Sequence, residues 1–515
     1  MATAQTRLGE RSFRVAQMLR DHATTAPDAP ALTVHGRTVT YGELDRRANR
    51  VAQYLIAAGV EPGARVPHLD RNGIEAVELM FGAAKAGAAI VPLNWRLAVP
   101  ELVKLAGDTR ARRLFCGPEF AEVAERVAAE IDDLGTPVVV TPGDDGWLGS
   151  TAEQDPRRDG DFDSVVLQLY TSGTTGLPKG VQTTNANLSM LSSGVAVEWA
   201  VDSSSVCLVA MPLFHIGGLG WLLVGLAKRA RNVLVPEIEP AALLDTIEHE
   251  RVSNAFLVPT VLQMMCAVPG AAQRDFSALR SIAYGASPIT TTALKAALRT
   301  FGCSLYQVYG MTETTGAIVQ LAAEDHDPDG PREHLLRSAG KPYDWMELRV
   351  VDPVSGDALG PDQIGEVQVR GASVTPGYFG REEETAAAID ADGWLHTGDG
   401  GYLDEEGYLF LTDRIKDMIV SGAENVYPGE VEEVLAQHPD VSEVAVFGLP
   451  DEQWGEVVTA AVVGRDDAVS TDALLDFARE RLAGYKLPRR VEIVSELPKT
   501  ATGKVSKKDL RAQFG

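Results

Sequence analysis

Tyr170-Thr171-Ser172-Gly173-Thr174-Thr175-Gly176-Leu177-Pro178-Lys179-Gly180 is the stretch on which the reading of this chain turns. It packs three glycines, four Ser/Thr hydroxyls and one lysine into eleven residues. It follows Val165-Val166-Leu167-Gln168-Leu169, an apolar run that reads as a buried strand. Glycines let a backbone turn tightly and aim its N–H groups at an anion. Hydroxyls add donors, and a lysine adds a mobile positive charge. The combination makes a cradle for a polyphosphate. It is not the common nucleotide loop, which needs Ser or Thr directly after its lysine and the lysine directly after a glycine. Here Leu177 and Pro178 separate Gly176 from Lys179, and Gly180 follows. The bland alternative is a surface turn, but a turn rarely needs so many donors beside a lysine.

Four more clusters follow in order. They are Tyr309-Gly310-Met311-Thr312-Glu313-Thr314, behind the strand-like Leu305-Tyr306-Gln307-Val308; Trp394-Leu395-His396-Thr397-Gly398-Asp399; Asp413-Arg414-Ile415-Lys416-Asp417-Met418-Ile419; and Pro498-Lys499-Thr500-Ala501-Thr502-Gly503-Lys504. In this order and spacing the five resemble the core motifs of the adenylate-forming superfamily: acyl-CoA synthetases, nonribosomal adenylation domains and luciferases. The pattern is most similar to that of bacterial fatty-acyl-CoA and aryl-CoA ligases. The resemblance runs from the Thr40-Tyr41-Gly42-Glu43-Leu44 segment to Lys504.

Composition agrees with a large enzyme. A chain of 515 residues calls for two or more domains. Forty-seven basic against 72 acidic residues give a net charge of −25, which disfavours nucleic acid or an anionic membrane as partner. Anionic substrates then need local positive sites. Cys116, Cys207, Cys266 and Cys303 form no Cys-x-x-Cys pair, so neither a zinc site nor a disulfide framework is indicated. The apolar stretch Leu219 to Ala227 is far short of the roughly 20 residues that span a bilayer. The first residues carry scattered charges and no signal-like apolar core. A reduced cytoplasm is the expected setting.

The fold expected is α/β. Strand and helix patterns alternate from residue 13 to about 310, for example the helix opening at Tyr41 and the pair Asn254–Leu257 and Thr260–Ala267. That predicts two layered α/β subdomains with largely parallel sheets. After Leu348, short runs such as Glu366–Arg370 and Tyr408–Leu411 between Gly and Asp turns predict a smaller β-rich subdomain. Residues 417–515 read as a compact α+β unit with helices Pro428–His438 and Asp472–Ala483 around a strand Val444–Phe447. By resemblance, residues 1–413 form the adenylation domain, 414–416 a hinge about Lys416, and 417–515 a small mobile lid.

The resemblance implies a two-step chemistry and a role for each motif. A carboxylate attacks the α-phosphate of ATP, giving an acyl-adenylate and pyrophosphate; a thiol then displaces AMP. Such a transfer needs charge neutralisation and alignment, not a protein nucleophile. Thr171, Ser172, Gly173, Thr174, Thr175, Gly176 and Lys179 would hold the β- and γ-phosphates. Thr312 would bond the α-phosphate and Glu313 would bind Mg²⁺, a hard cation that bridges phosphates. Gly285, Ala286, Ser287, Tyr309, Gly310 and Met311 would surround the adenine side of the nucleotide. Asp399 and Arg414 would take the ribose. Lys504 would touch the substrate carboxylate and the α-phosphate as charge builds there. After rotation about Lys416, the Ser421-Gly422-Ala423 segment would line the pantetheine channel of coenzyme A at Gly422.

Pro212-Leu213-Phe214-His215-Ile216-Gly217-Gly218-Leu219-Gly220 resembles the acyl segment, with His215 at the carboxylate and Phe214, Gly217, Gly218 and Tyr284 in the pocket. Amino-acid-activating relatives carry Phe-Asp here; Phe214-His215 lacks the acid, which points to an acid without an α-amine. The glycines suggest room for a bulky or long apolar acid. One departure stands out: Val181-Gln182-Thr183-Thr184-Asn185 ends in Asn where relatives have His. A smaller side chain there could enlarge the pocket or loosen the phosphate loop and so weaken adenylation. The expected reaction is acid:CoA ligation. Alternatives left open are thioesterification of an adenylate supplied by an upstream enzyme, loading of a carrier-protein thiol, and a degenerate nucleotide-binding regulator. A homodimer is compatible with the sequence.

Overall fold

The computed structural model describes residues 13–149, 151–171, 178–286, 289–414, 417, 419–421, 424–426, 428–451, 455–465, 469–482, 484–499 and 505–515. The chain divides into two compact units, Met1–Glu347 with Val369–Leu395, and Leu348–Gln368 with His396–Gly515. The α/β class expected from the sequence is what forms.

The first unit holds two sheets. Among the described residues one has nine strands, and its centre is parallel: Ser304–Met311, Ser281–Gly285, Asn254–Leu257, Val206–Val209, Arg231–Leu234 and Pro30–Val34, in that spatial order. Antiparallel strands Gly316–Leu321 and Arg37–Thr40 close its two sides, with Lys341–Pro342 outermost on the first. The other sheet has six: Val138–Val139, Phe115–Cys116, Arg65–Leu69, Ala89–Pro92 and Val165–Thr171 run parallel, and Lys179–Thr184 returns antiparallel at the edge.

Strand alternation decides where side chains go. Cys207, Val209 and Ala283 join one apolar core, while their neighbours Leu208, Ile282 and Tyr284 join another. Val66, Ile90 and Phe115 of the six-stranded sheet share the first of these cores, and Leu69, Val91 and Cys116 face a third. Most buried positions are apolar, as burial in a layered α/β unit requires. All four cysteines are free. Among the described residues no helix is long and apolar enough to cross a membrane; the apolar stretch from Leu219 sits in the buried helix Ile216–Ala227.

Local chemistry sets the helix ends. Tyr41–Ala57 starts in a capping box: the Glu43 N–H donates to Thr40 Oγ1, and the Thr40 N–H donates to Glu43 Oε2. The following helix, Ile74–Ala86, is buried along its whole length, so its charges must be paired. Glu78 takes Arg47. Lys85 donates to Asp45 at 2.6 Å, to Asn49 at 2.6 Å and to Asp155 at 3.2 Å. Arg20 reaches the same Asp155 and also Asp159, at 2.7 Å. This network pins the stretch before the Val165 strand to three helices.

The second unit takes in the β-rich stretch after Leu348 together with the C-terminal segment. Most of a four-stranded sheet lies here, ordered Met346–Val351, Gly365–Gly371, Leu395–Leu403 and Leu409–Arg414. A second sheet pairs Val441–Asp451 with Gly455–Gly464 in a long antiparallel ladder, and Arg490–Ile493 joins the latter in parallel. The helices Pro428–Ala436 and Thr471–Arg479 end short of the extents expected from sequence.

Lys85→Met takes a fully buried ammonium away from the half-buried Asp45 and Asp155, of which Asp155 keeps Arg20, and should cost about 1–3 kcal/mol in urea unfolding at pH 7. Burial opposes the Asp155 charge, but hydrogen bonds from Arg20 and the Arg157 N–H, with the charges of Lys85 and Arg20, hold its carboxyl well below the usual range. Its folded pKa is depressed, so its contribution is full above the ordinary carboxylate pKa of about 4 and is lost as pH falls below it. Asp155→Asn should therefore be less stable at neutral pH, and its stability should fall less steeply on acidification.

Candidate active site

The strands Val165–Thr171 and Lys179–Thr184 form a hairpin in which Thr171 pairs with Lys179 and Tyr170 with Gly180. The loop quoted at the outset thus connects two antiparallel strands, whereas the common nucleotide loop connects a strand to a helix. Ser172, Gly173, Thr174, Thr175 and Gly176 lie outside the described residues. The hairpin is held from its side. Arg65 donates to Gln168 at 2.9 Å and to Gln182 at 2.6 Å, one residue on each strand. Tyr170 donates to Asp108 at 2.8 Å; burial first, and then the Asp108 charge, push the phenol pKa up, so it stays protonated.

Residues 372–380 run along the outer edge of this hairpin. Gln182 N–H donates to Gly377 O at 3.1 Å, Phe379 N–H donates to Gly180 O at 2.8 Å, and Val181 bridges to Tyr378. The same strap reaches the Thr312–Thr314 turn: Thr375 N–H donates to Glu313 O at 2.8 Å, and Thr315 Oγ1 donates to Ser373 O at 2.8 Å. Tyr378 joins the two motifs directly. Its hydroxyl donates to Glu313 Oε1 at 3.0 Å, and the Lys179 ammonium sits 4.7 Å from its ring centroid. Glu313 is only 6 % exposed, so it is not the solvated acid that a bland reading would make it. Among the described residues no three His, Cys, Asp or Glu side chains cluster to hold a metal by themselves. A buried carboxylate beside a phosphate-type loop suits a cation that draws its other ligands from phosphates and water.

Parallel pairing aligns the next two motifs. Gly285, at the carboxyl end of its strand, is the register partner of Val308 on the next; ligands bind at such strand ends in open α/β sheets. Ala286, directly after it, has φ 69°, a conformation that non-glycine residues seldom adopt and that marks a constrained site. Ser287 lies outside the described residues. Tyr309 pairs with Val319 and Met311 with Gly316. At Gly310 an added Cβ would fall 1.8 Å from Gly316 O, so only glycine lets these strands approach. Thr312 opens the short turn that carries Glu313.

In the second unit Asp399 and Arg414 are cross-strand partners, so the two residues expected at a ribose are brought together. Gly398 adopts φ 68° and leads into Asp399, whose N–H donates to Thr397 Oγ1 at 3.1 Å. Lys416, Gly422 and Lys504 lie outside the described residues.

The acyl segment is stapled by Asn72. Its Nδ2 donates to Met211 O at 3.0 Å, and its Oδ1 accepts from Leu213 N–H at 3.0 Å. His215 is the N-cap residue of Ile216–Ala227 without capping through its side chain, and its ring lies 4.6 Å from that of Phe214. Two expectations fail here. Gly218 has no space for a side chain: an added Cβ would fall 2.2 Å from Pro212 O and 2.5 Å from Met211 O, so the glycine lets the helix start pack on that backbone. Tyr284 is fully buried in the second core, while Leu213 and Leu219 belong to the first. Alternation puts its ring on the far side of the sheet, where its hydroxyl meets His326 Nε2 at 2.9 Å. Gly217 faces the Phe256 ring instead, with an added Cβ 2.9 Å from Cε1.

Sequence reasoning missed a cavity of about 240 Å³ next to this segment, lined by Arg71, Asn72, Trp95, Arg96 and Pro212 among others. Arg71 is tied to Glu119 and Glu237, and Arg96 lies over the Trp95 ring at 4.8 Å. No motif marks these residues; the isolated Trp95-Arg96 pair is the one signal that could have drawn notice.

Asn185 corrects a third expectation. It is 2 % exposed, its Oδ1 accepts from Val15 N–H at 2.9 Å, and its Nδ2 donates to Asp161 O at 2.8 Å. Its side chain ties down the N-terminal helix and the 161–164 turn, and among the described residues its hydrogen bonds go to these two and not to the segment around Phe214.

Comparison with known proteins gives the family. The model of the AMP-binding enzyme family matches residues 19–379, and that of its C-terminal domain matches 430–504. A fatty acid–[acyl-carrier-protein] ligase, ScoC of Streptomyces coeruleorubidus, is 39% identical over 96% of this chain and 95% of its own. A feruloyl-CoA synthase of Amycolatopsis sp is 40% identical over 96% of this chain and 97% of its own. The crystal structure of ATP-bound MatB from Rhodopseudomonas palustris superposes with a TM-score of 0.88 at 29% identity, covering 98% of this chain and 99% of that one. The chain therefore belongs to the AMP-binding enzyme family, the adenylate-forming superfamily, and is an AMP-forming ligase of the acyl-CoA synthetase kind.

Asn185→Ala strands the buried Val15 N–H and removes the donor from the part-buried Asp161 carbonyl, and should lower stability by about 1–3 kcal/mol. Adenylation measured by ATP–pyrophosphate exchange at a permissive temperature should match wild type. A selective loss of adenylation without loss of stability would return Asn185 to the phosphate loop.

Proposed function

We propose that this enzyme activates a bulky or long apolar carboxylic acid lacking an α-amine as its acyl-adenylate and passes the acyl group to a pantetheine thiol, with coenzyme A as acceptor. The observation that carries the reading is the buried contact of Glu313 with Tyr378, whose ring also holds Lys179. It brings a carboxylate and a phosphate-loop lysine into one site, in a chain of this family.

In the first step the acid oxygen attacks the α-phosphorus of ATP, the bond to the bridging oxygen breaks, and pyrophosphate leaves. Thr171, Lys179 and the intervening loop hold the β- and γ-phosphates. Thr312 bonds the α-phosphate. Glu313 would hold Mg²⁺, which neutralises charge on the phosphates. Gly285, Ala286, Ser287, Tyr309, Gly310 and Met311 enclose the adenine side, and Asp399 and Arg414 take the ribose hydroxyls. Lys504 bridges the carboxylate and the α-phosphate in the transition state. In the second step the small domain, 417–515, turns about Lys416, Gly422 replaces Lys504, and the thiol displaces AMP.

Phe214, His215 and Gly217 border the acid. Relatives that act on a fatty acid and on ferulate support an aliphatic or aryl acid. Arg96, over the Trp95 ring, supplies a local positive charge for the anionic coenzyme A in a chain of net charge −25, while Arg71 is matched by Glu119 and Glu237. The carrier-protein reading keeps one support, the likeness to an acyl-carrier-protein ligase. The reading as a partner that only thioesterifies rested on Asn185, and the bonds that residue makes remove its ground.

A ligation screen over fatty, aryl and polycyclic acids, with AMP release as readout and CoA or an acyl carrier protein as thiol, should find an apolar acid turned over with CoA. Lys504→Ala should then lose adenylation by several orders of magnitude yet still convert a supplied acyl-adenylate to thioester. Equal loss in both assays would refute the two-conformation assignment. Glu313→Gln should lose adenylation steeply and regain part of it at high Mg²⁺.

A further inference from the structure

We propose that Tyr378 is a positioning residue for the adenylation step, a spacer that holds Glu313 and Lys179 close to each other but prevents them from closing into an ion pair. The inference rests on the functional reading above and adds a residue that no motif role covers.

A buried carboxylate and an ammonium held near each other tend to collapse into a pair. Such a pair would have to break before the lysine could bind phosphate and the carboxylate could bind a cation. Among the described residues no ion pair joins Lys179 to Glu313; Tyr378 stands at both. Its hydroxyl donates to Glu313 Oε1 at 3.0 Å, which favours the charged carboxylate and fixes its orientation. Its ring face attracts the Lys179 ammonium, 4.7 Å from the centroid, without neutralising it. Tyr378 is itself 9 % exposed and held at four points. It bridges to Val181; its N–H donates to Thr385 Oγ1 at 3.0 Å; the flanking Gly377 O and Phe379 N–H bond the phosphate-loop strand. Asn187 anchors the start of the same strap by donating to Ala372 O at 2.8 Å and Val374 O at 3.0 Å. A side chain so fixed can set the spacing of two others.

The test uses the full-length enzyme, with Mn²⁺ and ATP as the probe pair. Tyr378→Phe keeps the ring and the fold and loses only the hydroxyl. It should weaken Mn²⁺ binding in the presence of ATP, read by electron paramagnetic resonance, by about ten-fold. The Mg²⁺ concentration for half-maximal adenylation should rise similarly, with kcat at saturating Mg²⁺ nearly unchanged. In the Glu313→Gln background the same substitution should add almost nothing, because its effect runs through that carboxylate. Tyr378→Leu, which also removes the ring, should raise the KM for ATP as well. Wild-type Mn²⁺ binding in Tyr378→Phe, or effects that simply add in the double variant, would overturn the spacer role alone. A uniform fall in activity at all Mg²⁺ levels with a lowered melting temperature would show a merely structural tyrosine and overturn it too. A wild-type enzyme that binds no Mn²⁺ with ATP would overturn both this inference and the functional reading beneath it.

Discussion

Backbone pairing between residues 377–379 and the strand Lys179–Thr184 is the constraint on which the rest of the site depends. Lys179–Thr184 is an edge strand, and an unpaired edge leaves donors and acceptors open. Here the strap satisfies that edge and extends the sheet by one short segment. Because the strap is also bonded to the Glu313 turn, the edge of one sheet becomes fastened to the end of the other. The phosphate-loop lysine and the buried glutamate then stand at one side chain, although 134 residues separate them along the chain.

Burial sets the electrostatics around this point. A carboxylate as enclosed as Glu313 keeps its charge only where donors or cations compensate the lost hydration. The same logic governs the helix Ile74–Ala86, where Glu78 and Lys85 are buried and each is matched. It also separates two kinds of glycine. Gly310 and Gly218 are required because another backbone lies where a Cβ would stand, whereas Gly217 meets a side chain, the Phe256 ring. Only the last kind can be used to tune a pocket.

Much of this was legible in the sequence. The strand before the phosphate loop, the helix that opens at Tyr41 and the alternating elements up to residue 310 follow from apolar periodicity and from capping residues such as Thr40 and Glu43. The ordered motifs gave the family. Less legible was the direction of each side chain. The strand Ser281–Gly285 is buried at every position, so no polar alternation marks which face Tyr284 takes. The partners of Asn185 lie 24 and 170 residues away, and nothing near it in the chain announces them.

By itself the sequence determined the class of elements, their order and the residue types that chemistry would use, because periodicity, turn chemistry and motif spacing are local properties of a chain. The tertiary structure alone decided that Gly218 packs on backbone, that Asn185 is a tie to the N-terminal helix, and that Tyr378 meets both Lys179 and Glu313. Those outcomes depend on which strands become neighbours and in what register, and register is a long-range balance of packing that no short window of residues contains.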